Sequence, residues 1–276
     1  MENPTVSVII PTYNRADMLV KAIRSVLEQS YQDFEIIIVD DCSTDNTEQV
    51  VKFLGDTRVK YIKLNCNSGG SFKPRNLALN TASGRYIAVL DNDSLWLSKD
   101  KLKMQVEFLD NNPDYVLVGT NGVSLNLNGE IVAYVNYPTS DEGIRSKILA
   151  RNCFFHPSVM YRNEAAKTVG GYHKFGAKPY ENYSNDYELM LALGCINKVT
   201  NLPMYGAGSV LTPRNFNFKE RYGFMTSFIS LIKRHRFLYP NYCYSVMYWF
   251  ITMMLDIAAL RWLKNKVVRS ITNGRT

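Results

Sequence analysis

The first hundred residues alternate between short apolar runs and amphipathic helical patterns, and this alternation limits the possible folds more than any other feature. Four runs, at residues 6–10, 34–39, 59–64 and 85–90, are rich in Val, Ile, Leu and Tyr, as strands buried in a sheet are. Between the first two runs, apolar residues recur at helical intervals of three and four (Leu19, Ala22, Ile23, Val26 and Leu27). Successive strand–helix units need crossover connections, which are right-handed, so the pattern predicts a parallel sheet covered by helices.

The second half of the sequence has a different pattern. A helix is expected at residues 99–109, and strands are expected at 115–127 and 130–137, where Asn-Gly pairs at 121–122 and 128–129 indicate tight turns. Strands that are joined by tight turns run antiparallel. The sequence therefore predicts an α/β fold in which a mostly parallel sheet, flanked by helices, is extended by a smaller antiparallel portion.

Charge and composition change near residue 216. The net charge is +7, but residues 217–276 hold ten of the 32 Lys and Arg residues and two of the 25 acids, giving +8. The remainder has 22 bases and 23 acids, a net charge of −1. We therefore expect one domain at 1–216, with halves at 1–97 and 98–216, followed by a basic, aromatic, helical tail.

The tail contains an uncharged run of 14 residues at 242–255, and Asp256 follows it at once. A helix that spans a bilayer needs about 20 apolar residues. Basic residues flank the run, and Tyr, Trp and Met are abundant in it, which favours a helix lying in the plane of an anionic membrane surface. A helical hairpin packed on the domain is the alternative, and a spanning helix is a third and weaker one. Because the aromatic residues are clustered instead of interleaved with basic ones, no nucleic-acid partner is expected.

The cysteines and the amino terminus bear on the compartment. The five cysteines are scattered, odd in number and never at Cys-x-x-Cys spacing, which favours a reducing cytosol and gives no disulfide framework or zinc site. The amino terminus has no basic region, and its apolar run at 6–10 suits a strand better than a signal peptide. We therefore expect a cytoplasmic protein, held by its tail at the inner face of a bacterial cell membrane.

Two carboxylates follow the fourth expected strand, in the sequence YIAVLDNDSLW at 86–96. Ligands of open α/β sheets bind outside the carboxyl ends of the strands, where this sequence places Asp91 and Asp93. Carboxylates this close repel unless a cation lies between them, and their oxygens suit Mg²⁺ or Mn²⁺ bridging to substrate phosphates. The sequence favours a metal–diphosphate site, and a solvated Asp-rich turn is the alternative.

The first two strands also end in polar residues. After the first, Tyr13 can stack on a base and Asn14 can cap a helix or bind a ligand. After the second, Asp41 can accept the ring N–H of uracil or hold a ribose hydroxyl, as acidic residues do in dinucleotide sites. Simple helix capping is the alternative for Asp41.

Two further segments carry charged candidates. Gly69-Gly70 permits close backbone approach, and Arg75 after it is a cation suited to phosphate. The sequence lacks the G-x-G-x-x-G and G-x-x-x-x-G-K-[ST] motifs, so oxidoreductase and P-loop functions are disfavoured. Asp186 opens a short helix expected at 185–193, where it stays ionised and can act as a general base. An ordinary helix-terminus carboxylate is the alternative there.

Six segments in this order and spacing resemble glycosyltransferase family 2: PTYNR at 11–15, EIIIVDDCSTDNT at 35–47, LDND at 90–93 followed by LW, HPSVMYR at 156–162, GGY at 170–172 and NDYELMLAL at 185–193. The resemblance covers about residues 5–210. It implies a GT-A fold with a Rossmann-like sheet, residues 1–97 binding a nucleotide-sugar and 98–216 the acceptor. It also implies an inverting transfer from a nucleotide-diphospho-sugar, usually a UDP-sugar, to an acceptor hydroxyl.

The resemblance also assigns roles to the candidates. Asp186 becomes the catalytic base, and Asp93 becomes the metal contact, with Asp91 as a second. A divalent cofactor, Mn²⁺ or Mg²⁺, is implied. With the arguments from the strand ends, nucleotide binding is expected from Pro11, Tyr13, Asn14, Asp41, Arg75, Asp91 and Asn92. His156 in the His-Pro-Ser segment is expected to be a buried structural residue, with an acceptor contact as the alternative.

The sequence departs from the family pattern at two positions. Ser94 stands where the family has the second of two paired aspartates, and Asn185 stands where it has the Glu of a Glu-Asp pair. The Q-x-x-R-W segment of processive synthases is absent, which favours one sugar per event. The tail indicates a lipid-linked surface glycan as the acceptor, because it would hold the enzyme where such an acceptor lies.

Two other functions remain alternatives. A sugar-nucleotide pyrophosphorylase would need a Gly-rich loop with a Lys or Arg right after the first strand, where this sequence has Pro-Thr-Tyr. A degenerate, scaffolding family member is supported by Ser94 and Asn185 alone.

Overall fold

The computed structural model describes residues 3–173, 185–211 and 228–255. The first part contains the predicted strand–helix units. Four strands lie parallel in the order β3-β2-β1-β4: β1 (Val6–Thr12), β2 (Phe34–Asp40), β3 (Val59–Lys63) and β4 (Tyr86–Val89). The helices between them are α1 (Ala16–Leu27), α2 (Thr47–Phe53) and α3 (Phe72–Thr81). The predicted parallel sheet is confirmed.

The sheet continues beyond β4 with strands of mixed direction, in the order β4-β8-β6-β9-β5, while β7 pairs with β6. Their bounds are β5 (Ser94–Trp96), β6 (Tyr115–Leu125), β7 (Ile131–Val135), β8 (Met160–Arg162) and β9 (Lys198–Val210). The β4–β8, β6–β8, β6–β7 and β5–β9 pairs are antiparallel, and β6–β9 is parallel. The remaining helices are α4 (Lys101–Asn111), α5 (Asp141–Arg145), α6 (Asn163–Thr168), α7 (Asn185–Ile196), α8 (residues 228–234) and α9 (Tyr242–Leu255).

One of the two predicted Asn-Gly turns is wrong. Asn128-Gly129 lies in the turn between β6 and β7, and Gly129 has the positive φ of 85° that favours glycine. Asn121-Gly122 lies inside β6 instead. An ideal Cβ on Gly122 would lie 2.4 Å from the Phe155 ring, so this glycine serves close packing and not a turn.

Two strands, β5 and β9, were not predicted from the sequence. The β9 sequence KVTNLPMYGAGSV contains Pro203 and two glycines, which normally argue against a strand. The β6–β9 register shifts next to Asn121, opposite residues 202–205, so an irregularity in the pairing accommodates the proline. β5 then pairs with the end of β9, which ties Trp96 into the sheet.

The core lies on both faces of the sheet because side chains alternate along each strand. Val8 and Ile10 pack with α1 and α4 on one face, whereas Ile9 and Ile37 pack with α3 and α7 on the other. The core on the face of α3 and α7 also contains residues of the C-terminal segment: Phe228, Leu231, Ile232 and Tyr239. The division of the chain at residue 216 stays a prediction.

The predicted helix at 242–255 is present as α9, and it has two different faces. Tyr242, Val246 and Trp249 pack against the core, and Trp249 Nε1 donates to the carbonyl oxygen of Leu149 at 3.0 Å. On the other face, Met247 and Phe250 are 54% and 53% exposed. One face of α9 is therefore packed on the domain, as the alternative to a membrane-surface helix expected. Within the three described ranges, no helix is long and apolar enough to cross a membrane. Asp256 and the basic residues after it lie outside those ranges.

Candidate active site

The loops after β1, β2 and β4 and the first turn of α7 open onto one cleft of about 680 Å³, at the carboxyl ends of the parallel strands. Its lining includes these sequence-predicted site residues: Pro11, Tyr13, Asp41, Arg75, Asp91, Asn92, Asp93 and Asp186. The structure therefore brings together residues that are up to 175 positions apart in the sequence. The loop at 67–71 and residues 209–211 also line it, together with Thr12, Arg15, Pro74 and Asn185.

Asn14 is not part of the described lining, but it fixes two of the loops that are. Its backbone N–H donates to Ser43 Oγ at 2.8 Å, and its side-chain Oδ1 accepts the N–H of Thr44 at 2.8 Å. Asn14 has a positive φ of 48°, a conformation that Asn tolerates better than most residues. The structure thus shows Asn14 joining the loops after β1 and β2, and its nucleotide contact stays a prediction.

Asp41 is held by a residue that the sequence analysis did not single out. Its two carboxylate oxygens accept the backbone N–H of Ser68 at 2.8 Å and the Ser68 hydroxyl at 3.0 Å. Burial raises the pKa of Asp41 above its ordinary value, although the bonds from Ser68 oppose this. The position of Ser68 beside Gly69-Gly70 was the available signal for it.

Asp91 is the centre of a buried network. Arg75 Nη2 donates to Asp91 Oδ1 at 2.7 Å, and His156 Nδ1 lies 3.1 Å from Asp91 Oδ2. Burial alone disfavours the ionised form, but the charge of Arg75 and then the contact with His156 outweigh it, so the pKa of Asp91 lies well below its usual range. Both oxygens of this carboxylate therefore have protein partners.

Arg75 also ties the Asp91 network to the helix that carries the predicted base. Its Nη1 donates to Asn185 Oδ1 at 2.9 Å, and its guanidinium lies over the Tyr172 ring at 5.5 Å. Asn185 is the first residue of α7, next to Asp186. Arg75 therefore fixes the position of α7 relative to β4 as well as contributing charge to the cleft. The expected burial of His156 is observed, but its contact with Asp91 was not foreseen.

Asp93 has one cationic partner among the described residues, Arg15, whose Nη1 lies 3.1 Å from Asp93 Oδ2. Burial raises the pKa of Asp93, and the nearby charge of Asp91 adds to this effect. A cation next to Asp93 would stabilise its ionised form, which burial and the charge of Asp91 disfavour. The buried Ser94 hydroxyl lies 3.4 Å from the other oxygen of Asp93, so the departure from the family pattern leaves a neutral group there.

The residues present fit a divalent cation that shares its ligands with a phosphate-bearing substrate. No cluster of three His, Cys, Asp or Glu side chains that could hold a metal by themselves occurs in the described parts of the chain. The described lining has four carboxylates (Asp41, Asp91, Asp93 and Asp186) and two guanidiniums (Arg15 and Arg75), a balance of −2. Mg²⁺ and Mn²⁺ sites often use one or two carboxylates plus substrate phosphates.

Asp186 lies in the first turn of α7, where its Oδ1 accepts the N–H of Tyr187 at 2.9 Å. It borders the main cleft and also a small apolar recess lined by His156, Tyr172 and Met190 among others. A carboxylate at the edge between an open cleft and a buried wall can accept a proton from a bound hydroxyl.

Sequence comparisons relate this chain to bacterial glycosyltransferases. The profile of Glycosyl transferase family 2 matches residues 7–170, more than half of the chain. The putative teichuronic acid biosynthesis glycosyltransferase TuaG of Bacillus subtilis is 47% identical over 108 residues, which cover 38% of this chain and 42% of TuaG. WfgD of Escherichia coli, a UDP-Glc:alpha-D-GlcNAc-diphosphoundecaprenol beta-1,3-glucosyltransferase, is 40% identical over 109 residues, which cover 40% of this chain and 42% of WfgD. The matches therefore span less than half the length of these relatives.

Solved structures share the fold. The complex of Staphylococcus aureus TarS 1–349 with UDP-GlcNAc superposes with a TM-score of 0.66 at 22% identity, covering 91% of this chain and 73% of TarS. The mannosyltransferase PcManGT from Pyrobaculum calidifontis, solved with GDP-Man and Mn²⁺, gives 0.62 at 18% identity, covering 98% of this chain and 81% of PcManGT. The expected GT-A fold is confirmed, and the profile match places this chain in glycosyl transferase family 2.

Proposed function

We propose that this chain transfers one sugar from a UDP-sugar to a hydroxyl of a cell-envelope glycan acceptor, with inversion at the anomeric carbon. The observation that carries this proposal is the convergence of the three strand-end loops and Asp186 on one cleft. The similarity to TuaG, a putative teichuronic acid biosynthesis glycosyltransferase, and to WfgD supports a cell-envelope acceptor. WfgD also supports a UDP-linked donor and a lipid-linked acceptor.

In the proposed mechanism the protein supplies binding, orientation and a base. Tyr13, 44% exposed at the cleft, stacks on the base of the nucleotide, and Asp41 accepts its ring N–H. Asp91 stays ionised beside Arg75 and orients the ribose and diphosphate end of the donor. Asp186 takes the proton of the acceptor hydroxyl as that oxygen attacks the face of the sugar opposite the diphosphate.

Asp93 is the residue that we propose to hold Mn²⁺ or Mg²⁺. When bound, the cation neutralises the charge that develops on the leaving diphosphate. Asp91 is a weaker candidate than the sequence suggested, because Arg75 and His156 already contact both of its oxygens.

Thermal stabilisation of the purified chain by a panel of sugar nucleotides, with and without Mn²⁺, tests the donor site. A ligand at 100 times its Kd adds about 2.7 kcal/mol of stability, which is easily measured. The proposal expects a shift that needs both a UDP-sugar and the metal and that is lost in Asp93→Ala. The anomeric configuration of the product, followed by NMR, then tests inversion.

Two outcomes would favour the alternatives. If no nucleotide stabilises the protein, the degenerate scaffold becomes the better function, and Ser94→Asp is the first reversion to make. Formation of a sugar nucleotide from a sugar phosphate and a nucleoside triphosphate, with release of pyrophosphate, would indicate a pyrophosphorylase instead.

The exposed face of α9 supports a peripheral position on an anionic membrane, at the inner face of the cell membrane. Tyr244, Met247 and Phe250 are exposed on it, and Lys233 and Arg236 are exposed just before the helix. Aromatic and apolar side chains flanked by basic residues are typical of helices that lie at a bilayer interface. The proposed lipid-linked acceptor would be found there.

Co-sedimentation with vesicles containing phosphatidylglycerol tests this position. The double variant Met247→Glu/Phe250→Glu is expected to lose binding. Phe53→Glu, at a position of α2 that is 92% exposed, is the matched control. Equal binding of the double variant and the wild type would contradict a membrane role for this face.

A further inference from the structure

Two guanidiniums line the cleft in the described parts of the chain, and they are held in very different ways. Arg75 has a side chain 9% exposed and donates to Asp91, Asn185 and Ser71. These hydrogen bonds fix Arg75 in the wall of the cleft.

Arg15 is held far more loosely. Its side chain is 36% exposed, and its charged partner is one oxygen of Asp93 at 3.1 Å. Its other described side-chain contact is a weak one, from Nη1 to the sulfur of Met18 at 3.6 Å. A partly exposed guanidinium with one contact to its charged partner is displaced more easily than one that is buried and bonded to several groups, as Arg75 is.

The position of Arg15 creates a competition. It contacts the same carboxylate that we propose as the metal ligand, and two cations on one carboxylate repel each other. A divalent ion that binds Asp93 therefore competes with Arg15 for this carboxylate. A phosphate-bearing substrate in the same cleft offers Arg15 a new anionic partner, because Arg15 lies in the cleft lining.

We propose that Arg15 is an exchangeable cation of this site: it neutralises Asp93 in the free protein and moves to the diphosphate of the donor when a metal ion binds Asp93. The inference rests on the proposed function. Arg15 then determines the order of binding, because the metal binds weakly until the nucleotide is present. By linkage, the metal strengthens nucleotide binding by the same factor.

The test measures Mn²⁺ binding directly, from the electron paramagnetic resonance signal of free Mn²⁺, with the full-length chain and with or without UDP. The coupling is the ratio of the Kd for Mn²⁺ without UDP to the Kd with UDP. In Arg15→Gln, Mn²⁺ is expected to bind the free protein about two- to fivefold more tightly than in wild type, the range set by one partly exposed ion pair. The coupling therefore falls, because the free variant has no Arg15 cation on Asp93 that Mn²⁺ must compete with. UDP is expected to bind this variant more weakly, because the diphosphate loses a cationic partner.

Two further variants separate this role from a general effect of charge. Arg15→Lys keeps the cation and is expected to keep most of the coupling. Arg24→Gln removes one exposed positive charge from α1, the helix that Arg15 immediately precedes, without touching Asp93. It is expected to change the Mn²⁺ affinity by less than about 1.5-fold at physiological salt.

The outcomes distinguish failure of the inference from failure of the proposed function. Unchanged Mn²⁺ affinity and coupling in Arg15→Gln would overturn the inference and leave the transferase proposal standing. If UDP binds but Mn²⁺ binds neither with it nor without it, the inference fails together with the assignment of a metal to Asp93, while nucleotide binding in the cleft stands. If UDP itself does not bind the wild type, both proposals fail together.

Discussion

Asp186 is the residue on which the proposed chemistry depends most. Asn in its place has the same shape and no basic oxygen, so Asp186→Asn should reduce the transfer rate by about 10²- to 10⁴-fold. The proposed donor contacts lie on the strand-end loops and do not include Asp186. The Kd of the UDP-sugar should therefore change less than about twofold. Initial rates and thermal shifts on the same preparation measure both quantities.

Asp17→Asn, at an exposed acid on α1, is the control for loss of one negative charge. A wild-type rate in Asp186→Asn would show that another group takes the proton.

Lys101 is a second residue whose chemistry gives a test, this time of stability. It is fully buried, donates from Nζ to Gln105 Oε1 at 2.7 Å, and lies 4.0 Å from the centre of the Trp96 ring. Burial lowers its pKa well below the ordinary value. Between the folded pKa and the unfolded pKa, the unfolded chain binds the proton more strongly, so the free energy of unfolding rises with pH in that window.

The pH dependence should therefore differ between the wild type and Lys101→Met. As the pH rises from 7 to 10, the wild type should gain stability relative to this variant, which has no such proton to bind. Urea unfolding at several pH values measures the difference, and Lys103→Met, at an exposed position of the same helix, should follow the wild type. Parallel pH profiles for Lys101→Met and wild type would mean that Lys101 stays charged when buried.

At the scale of residues, the sequence was sufficient to predict which side chains share the cleft but not how they pair. Asp41, Asp91 and Asp93 follow parallel strands, whose carboxyl ends share one edge, so their proximity follows from the strand pattern. The pairing of Asp91 with His156, and of Arg75 with Asn185, joins residues 65 and 110 positions apart. Such contacts depend on the placement of the later strands and helices, and no local pattern encodes it.

At the scale of elements, the parallel half was predictable because β1, β2 and β4 are buried on both faces and contain long apolar runs. Of the later strands, those expected at 115–127 and 130–137 are present as β6 and β7, although the Asn-Gly pair inside β6 was taken for a turn. The strand β9 was not predicted, because it contains Pro203, Gly206 and Gly208. In β6 and β9 the glycines relieve crowding: a Cβ on Gly206 would lie 2.5 Å from Thr120 Oγ1. Residues that signal turns in isolation are used here for close packing between strands.

Gly122→Ala tests this account of β6. The added methyl group would meet the Phe155 ring at 2.4 to 2.7 Å, so the strand or the ring has to move, at a cost of about 1–3 kcal/mol in the free energy of unfolding. Gly122→Ala should cost less stability in a Phe155→Leu background than in the wild type, because the added methyl group no longer meets the ring. Chemical denaturation of the four proteins gives the coupling. Additive losses would mean that the ring is not what the methyl group meets.

At the scale of the whole molecule, the described part of the C-terminal segment belongs to the core. Arg234 of α8 pairs with the buried Glu188 of α7 at 2.9 Å, and the Tyr239 hydroxyl donates to the carbonyl oxygen of Leu191 at 2.7 Å. Both contacts reach the helix that begins with Asn185 and Asp186. The segment that sequence composition marked as a separate tail thus supports the helix that carries the proposed base.

Deletion of residues 217–276 should therefore destabilise the domain and not merely release it from a membrane. Four large side chains of the core would be lost (Phe228, Leu231, Ile232 and Tyr239), and full burial of each contributes about 1.5–3 kcal/mol. We expect a much lower midpoint of thermal unfolding and a reduced transfer rate, because α7 would lose its packing partners. Deletion of residues 256–276 alone is the matched control, since it keeps every buried contact described here. If the longer deletion left the unfolding midpoint unchanged, the C-terminal helices would be an appendage, and the division of the chain at residue 216 would gain support.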